Sequence, residues 1–543
     1  MSHTNTVLPL VLSPSWNFDG NDGNWSSFEI EIGTPGQTFR ILPSTSSSEI
    51  WVPLPQGCQG ILSGVSNCGT QRGVEDINGT SSQGFQTNAS STWDQIGIYQ
   101  LAAEKNLYGD DDVGLYGLET IALDLRTDVE GNDTATISSQ VVAGYSSSDF
   151  WLGSIGLATA QANFTAEDKN LASLLASLSS QNLTTSLSFG YSAGASYASP
   201  ADYGSLVLGG YDSSRIESEN LTIALGGDVN QTLRTSIQNI VAENTNDGTV
   251  SLFREESSII TTIDSTTSQL WLPQTVCDLF EETFGLTYDD VTGLYLVNDS
   301  AHSQLLQTNP SITFTMGPDT SDTGTDNVNI VLPYAAFDLQ AGIPFYNSST
   351  NYFPIRVAAN ESQYTLGRAF LQEAYLFVDW ERQNFTIGQA VHQNSTKNVV
   401  PILSPASRRD HAGSDGLSRG AIVGIAIGAC VAVVIITAAA LFFVLRSRRR
   451  ERADQRAHEA EGAAFINEKD GGDVHEADGS RAFPEEIMSE QRHELPEEEK
   501  RQEIMSTPVA EMPGQQVSSE LEDSSERLDK KENPNRSEVF ELP

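Results

Sequence analysis

Two stretches of this chain read alike: STSSSEIWVP at residues 44–53 and DSTTSQLWLP at residues 264–273. Each sets a run of small hydroxyl side chains before a polar residue, an apolar residue, Trp, an apolar residue and Pro. They lie 220 residues apart. A repeat at that spacing predicts two lobes built on one plan and related by a pseudo-twofold axis. The sequence around both stretches supports an all-β domain over residues 24–395. Strand-like alternation recurs at 28–32, 38–42, 119–123, 205–208, 311–315 and 375–377, with turn residues between. Helical patterns are few; the candidates are 170–179 and 272–284, the second opening after Pro273.

The chain has 543 residues, with 30 Lys and Arg against 72 Asp and Glu, a formal net charge of −42. Nucleic-acid binding needs a cationic footprint, and the only basic cluster is the short run at Arg446, Arg448, Arg449, Arg450 and Arg452, so that class is excluded. Residues 1–400 hold 12 basic and 44 acidic side chains. That imbalance suits a protein kept soluble at low ambient pH or facing an acidic wall space; a plain solubility charge explains it equally well.

Residues 420–445 (GAIVGIAIGACVAVVIITAAALFFVL) carry no charge, enough to cross a hydrocarbon core of roughly 30 Å. The Arg cluster follows at once, so the positive-inside rule puts that end in the cytoplasm and the preceding residues outside. Asn-x-Ser/Thr sequons agree with this single-pass type I topology at the cell surface. They occur at Asn24, Asn78, Asn88, Asn132, Asn163, Asn182, Asn220, Asn230, Asn298, Asn347, Asn360, Asn384 and Asn394, and only Asn535 follows the span. The start, MSHTNTVLPLVLSPSW, is a poor signal peptide, and a mis-assigned or truncated start is the favoured explanation. The expected order is a terminal segment 1–23, the ectodomain 24–395 (lobes about 24–200 and 201–395), a Pro/Ser/Gly linker 396–419, the span 420–445 and a disordered acidic tail 446–543, open to a cytoplasmic partner. Of four cysteines, Cys430 lies in the span; Cys58 and Cys68, ten residues apart in a Gly/Ser-rich loop, are expected to pair, leaving Cys277 over.

These motifs resemble the pepsin-like aspartic peptidases, in the branch found as membrane-anchored fungal proteins, over residues 24–395. IGTPGQTF at 32–39 matches the family's strand and turn before its first active-site loop. Tyr108-Gly109 with GLYGL at 114–118 resembles the flap hairpin, which makes Tyr108 the flap candidate. GSIGL at 153–157 and LGRAF at 366–370 resemble the apolar-Gly strands that thread the two active-site loops, and SLVLGGYD at 205–212 the interlobe strand. The resemblance implies a two-lobed, all-β pepsin-like fold with an interlobe cleft.

It also implies a mechanism in which two aspartates, sharing one proton, act as base and acid on either side of a water. Counting from Gly33 and back from Trp51 puts Ser44 at the first aspartate position; Asp264 stands at the second. A serine cannot serve as that acid or base, and general acid–base effects of roughly 10²–10⁴-fold each are at stake. Glu49, five residues on, is the nearest other acid and is not expected to point back. The family's Gly after each Asp-Thr is Ser46 or Thr266, and a side chain there crowds the water site. Thr45 and Ser265 keep the hydroxyls that bond across the lobes, Ser47 and Thr267 the next ones, and Trp51 and Trp271 the packing anchors. Scaffold kept and carboxylate lost describe a non-catalytic descendant binding an extended peptide or wall glycoprotein. The alternatives are an active acid endopeptidase and a glycosylated surface or adhesion protein with a relic cleft.

Other chemistries fit less well. No His sits in a nucleophile-elbow context, no Cys/His spacing suits zinc, and there is no phosphate loop. Asp110, Asp111 and Asp112 lack the rest of a calcium loop. No metal and no cofactor is expected.

Overall fold

The computed structural model describes residues 7–405, apart from 78, 104, 110–111, 126–133, 166–169, 228–231, 321–325 and 393–396. The architecture is predominantly β and two-lobed. The first lobe is an eight-stranded sheet in which Gln37–Ser44 pairs with Trp25–Ile32 on one side and Gly153–Gly156 on the other. The second lobe repeats the plan around Ile259–Ile263, with a small four-stranded sheet added. Beneath both runs a six-stranded sheet that takes Ser188–Ala195 and Asp202–Leu208 from one half and Ala374–Asp379 and Asn384–Ala390 from the other.

The strands form where alternation predicts them. Phe28, Ile30 and Ile32 face the core and are fully buried, while Glu29 and Glu31 between them are not. One apolar core runs through both lobes; a second, smaller one gathers Trp51, Tyr116, Tyr145 and Phe150 beneath the hairpin Asp94–Gln100/Val113–Asp124. The helix expected at 272–284 is Gln274–Phe284, with Pro273 at its N-cap and Gly285 closing it in the left-handed region. That expected at 170–179 is shorter, Leu174–Ser180, because Ser173 caps it by accepting from the Ala176 N–H.

The folded region is wider than 24–395. Pro14–Asp19 pairs with Trp25–Ile32, and Leu10 faces Leu208 in the interlobe sheet. At the other end Val399–Pro401 pairs with Gly210–Asp212, and the Ser404 N–H donates to the Thr185 carbonyl. Both extensions lack a local strand signal, because each pairs with distant strands and carries Pro and polar residues that read as linker. Cys58 and Cys68 form a disulfide and Cys277 is a buried free thiol. Among the described residues no helix is long and apolar enough to cross a membrane; 420–445 and the tail lie outside them.

Candidate active site

Each active-site turn is made by threading. Gly153–Gly156 runs parallel to Gln37–Ser44, placing Gly156 beside Ser44, and antiparallel to Ile50–Pro53. In the second lobe Thr365–Leu366 runs parallel to Ile259–Ile263 and antiparallel to Leu270–Leu272. The following glycines seat the loops closely. A Cβ on Gly156 would lie 2.5 Å from the Glu49 nitrogen, and one on Gly367 would lie 2.4 Å from the Gln269 carbonyl.

The two loops are then stitched across the lobe boundary. The Thr45 N–H donates to Ser265 Oγ (3.0 Å), and the Ser265 N–H donates to Thr45 Oγ1 (3.0 Å). The Ser265 Oγ–H donates to the Pro43 carbonyl (2.7 Å) and the Thr45 Oγ1–H to that of Ile263 (3.3 Å). All four polar groups are buried and satisfied, so the grip holds the lobes in one register.

This symmetry sets Ser44 and Asp264 at equivalent places. Asp264 Oδ1 accepts from Ser46 Oγ (2.9 Å) and from the Thr266 N–H (2.8 Å). Ser44 Oγ lies 2.7 Å from Thr266 Oγ1, which is 3.1 Å from Ser46 Oγ. The centre is thus one carboxylate at the end of a chain of three hydroxyls running from Ser46 through Thr266 to Ser44. A hydroxyl neither holds charge nor relays a proton as a carboxyl does at acid pH. Ser47 acts within its own loop, its Oγ accepting from the Glu49 N–H; Thr267 Oγ1 donates to Gln269, receives from Trp271 Nε1 (3.4 Å) and also meets the Tyr108 hydroxyl. Glu49 turns away beneath the hairpin, where its Oε2 accepts from Trp51 Nε1 (3.2 Å) and Tyr116 Oη (2.9 Å). Burial raises its pKa, and these two bonds only partly offset that.

Beside the centre lies a cavity of about 310 Å³. Its floor is Ser265, Thr266 and Thr267; Trp25 and Trp271 form walls. Tyr108 and Leu107 line it from the short helix Lys105–Tyr108, which sits in the flap hairpin. Tyr108 packs on Phe150 (centroids 5.0 Å apart), and burial, with the nearby Asp264 carboxylate, raises its phenol pKa. The flap expectation therefore places Tyr108 over the second-lobe loop. Two arginines reach the same cavity. Arg368 donates from Nη1 to the carbonyls of Ser265 and Thr266 (2.8 Å each) and lies over the Trp25 ring. Arg356 lies over the Trp271 ring, its guanidinium carbon 5.2 Å from the centroid.

One end of the cleft is bridged by the tip of an N-terminal hairpin. Asn21 Nδ2 donates to the Ile343 carbonyl (3.0 Å), the Gly342 N–H donates to the Asn21 carbonyl (2.7 Å), and Tyr352 Oη donates to that of Asp22 (2.5 Å). The Asp22 carboxylate accepts from Trp25 Nε1 and from Ser268 Oγ. Asp22, Arg356 and Arg368 escaped the sequence reading; Arg368 alone left a signal, as the residue directly after Gly367 in LGRAF. Asn24, Asn88, Asn163, Asn182, Asn220, Asn298, Asn347 and Asn360 are exposed and Asn384 is half-buried; Asn78, Asn132, Asn230 and Asn394 lie outside the described residues.

Known proteins give the same picture. The eukaryotic aspartyl protease family matches residues 27–391. The chain is 25% identical over 401 residues to aspartic proteinase yapsin-3 of Saccharomyces cerevisiae, covering 71% of this chain and 70% of that protein. It is 26% identical over 379 residues to an acid protease of Saccharomycopsis fibuligera, covering 66% of this chain and 80% of the other. A match over so much of the chain, on a two-lobed fold with threaded twin loops, means that this protein belongs to the eukaryotic aspartyl protease family.

Proposed function

We propose that this chain is a catalytically silent aspartyl protease relative whose cleft binds an extended peptide or glycoprotein segment at the cell surface. One observation carries the reading: the place between the two loops holds a single carboxylate, Asp264, bonded to Ser46 and Thr266, with Ser44 opposite. The dyad chemistry needs a second carboxyl to hold the shared proton. Here Ser44 stands in its place, and the Ser46 and Thr266 hydroxyls take up hydrogen-bonding room a water would need. The grip, the threaded strands and the flap remain, so the groove keeps the geometry for main-chain pairing with an extended segment. The uncharged run 420–445 and the Arg residues after it support single-pass anchoring with the tail inside. Exposed sequon asparagines support a glycosylated outer domain.

A second reading, an active acid endopeptidase, is favoured by the retained Asp264 and by the two relatives, both named as proteases. Full-length protein in detergent, incubated with unfolded casein from about pH 2.5 to 6, separates the two. Silence in the wild type and in Asp264→Ala is the expected result. Cleavage by the wild type that vanishes in Asp264→Ala would overturn the proposal. The triple change Ser44→Asp, Ser46→Gly and Thr266→Gly is expected to bring turnover above background, since it rebuilds the second carboxyl and clears both side chains.

A further inference from the structure

We propose that the cavity beside Asp264 is a carboxylate-reading subsite, in which Arg356 pairs with a carboxylate of the bound peptide. The inference rests on the peptide-binding reading above and names its ligand class: an extended segment carrying an acidic side chain, or ending in a free carboxylate, at this position.

The argument begins with charge. In a region as acidic as residues 1–400, arginines find carboxylates easily. Arg40, Arg215, Arg254, Arg368 and Arg382 each lie within 4.0 Å of one; Arg234 is exposed, and the wholly buried Arg72 is held instead by the carbonyls of Ser147, Phe150 and Trp151. Arg356 has no carboxylate within that distance among the described residues, although it is half-buried and lines the cavity. Its Nη2 donates to the Thr292 carbonyl, its Nε is buried without a hydrogen-bond partner, and the Trp271 ring supports its plane. Taking a guanidinium out of water without an anion is unfavourable, and burial holds the Arg356 pKa below the ordinary arginine value. An incoming carboxylate would relieve that state with a charge-assisted bond.

The two acids on the cavity wall leave the role open. Asp22 is already engaged by Trp25 and Ser268, with Arg368 at 3.8 Å. Asp149 stands farther from Arg356 than an ion pair allows; burial, with Asp112 nearby, raises its pKa, and Arg356 acting at longer range only partly offsets that. A cavity of about 310 Å³ suits one side chain or a chain end with a few waters. Tyr108 adds a wall, and a cation on an aromatic face beside hydroxyls fits a planar carboxylate.

The test uses the full-length chain in neutral detergent and end-blocked extended decapeptides labelled with an uncharged dye, carrying either Glu or Gln at the centre. A third peptide has the Gln centre and a free C-terminal carboxylate. Anisotropy at pH 6 is expected to show about tenfold or tighter binding of the Glu peptide, or of the free-terminus peptide, relative to the blocked Gln peptide. The arm that gains identifies which carboxylate enters. Arg356→Gln is expected to abolish that preference while the blocked Gln peptide binds as before, and Arg356→Lys to restore part of it. Equal binding of all three peptides overturns the subsite and leaves peptide binding intact. Equal loss of every peptide in Arg356→Gln assigns Arg356 a merely structural role and also overturns it. Failure of every peptide to bind the wild type sinks the binding function itself, and the subsite with it.

Discussion

The two active-site loops share a backbone plan and differ in what surrounds them. In the first lobe the loop is sealed. Trp51 is buried, and Glu49 sits beneath the flap hairpin, bonded to Trp51 and Tyr116. In the second lobe the equivalent Trp271 is only half-buried at the cavity, where Arg356 lies over the indole, while Gln269 is as buried as Glu49. Asp264 belongs to the loop that borders the cavity and Ser44 to the sealed one, and both side chains are buried. The pair teaches that the fold needs the threaded glycines and the hydroxyl grip on both sides, whereas only the chemistry needs the matching acids.

The largest effect expected on this comparison comes from the glycines. Gly156→Ala and Gly367→Ala each force a methyl group into backbone atoms nearer than 2.6 Å. Each is expected to cost more than about 3 kcal/mol and to prevent accumulation of folded protein. Yield of folded protein and denaturant unfolding check this, and a tolerated substitution on one side alone would show that the two loops are not built alike.

Next comes the grip. Thr45→Val and Ser265→Ala each leave buried N–H groups without an acceptor and are expected to cost about 1–3 kcal/mol. The larger loss belongs to Ser265→Ala, because its bond to Pro43 (2.7 Å) is shorter than that of Thr45 to Ile263 (3.3 Å). Denaturant midpoints of the two variants and of the double variant measure the coupling. Simple additivity would count against a shared network.

A smaller effect lies in the platform beneath the lobes. Burial disfavours the charged form of His392, but Asp202 (3.0 Å from Nδ1) and Glu373 (3.2 Å from Nε2) outweigh it and push its pKa up to about 9. The contact with Glu373 is close but not aligned as a hydrogen bond. A folded pKa above the unfolded value of about 6.5 means stability fully present below pH 6.5 and lost as pH rises toward 9. After allowance for solvent the contribution is about 1–2 kcal/mol, and His392→Ala is expected to flatten that slope in thermal melts between pH 6 and 9.

The smallest expected effect lies at the buried polar residue of each loop, Glu49 and Gln269. Because the folded pKa of Glu49 is raised, its contribution to stability is greatest at low pH and declines above its unfolded value of about 4.3. Glu49→Gln is expected to remove that decline, whereas Gln269→Glu, at an equally buried place, is expected to bring a like decline to the second loop. Melting temperatures of both variants between pH 3.5 and 7 decide it; a Glu49→Gln curve parallel to the wild type would show that burial of Glu49 does not set this slope.

Much of this was legible in the chain. The twin Trp-Pro segments carry local signals that survive distance, so the two lobes and the threaded glycines could be read directly. The Cys58–Cys68 bridge followed from short spacing within one loop. What stayed hidden depends on pairing between remote residues. Leu10 finds Leu208, Val400 finds Tyr211, and Asn21 finds Gly342 and Ile343, and no local pattern announces those meetings. Arg356 and Trp271 are 85 residues apart in sequence and meet only because Leu270–Leu272 and Ile355–Val357 lie side by side in parallel.

The hairpin tip at Asn21 and Asp22 has a mechanical consequence. Its bonds to Ile343, Gly342 and Tyr352 tie the first lobe to the second, and Asn21 and Asp22 line the same cavity as Arg356. Parting the lobes there would break several hydrogen bonds together, so that wall of the cavity resists widening and the pocket keeps its width without a guest to hold it.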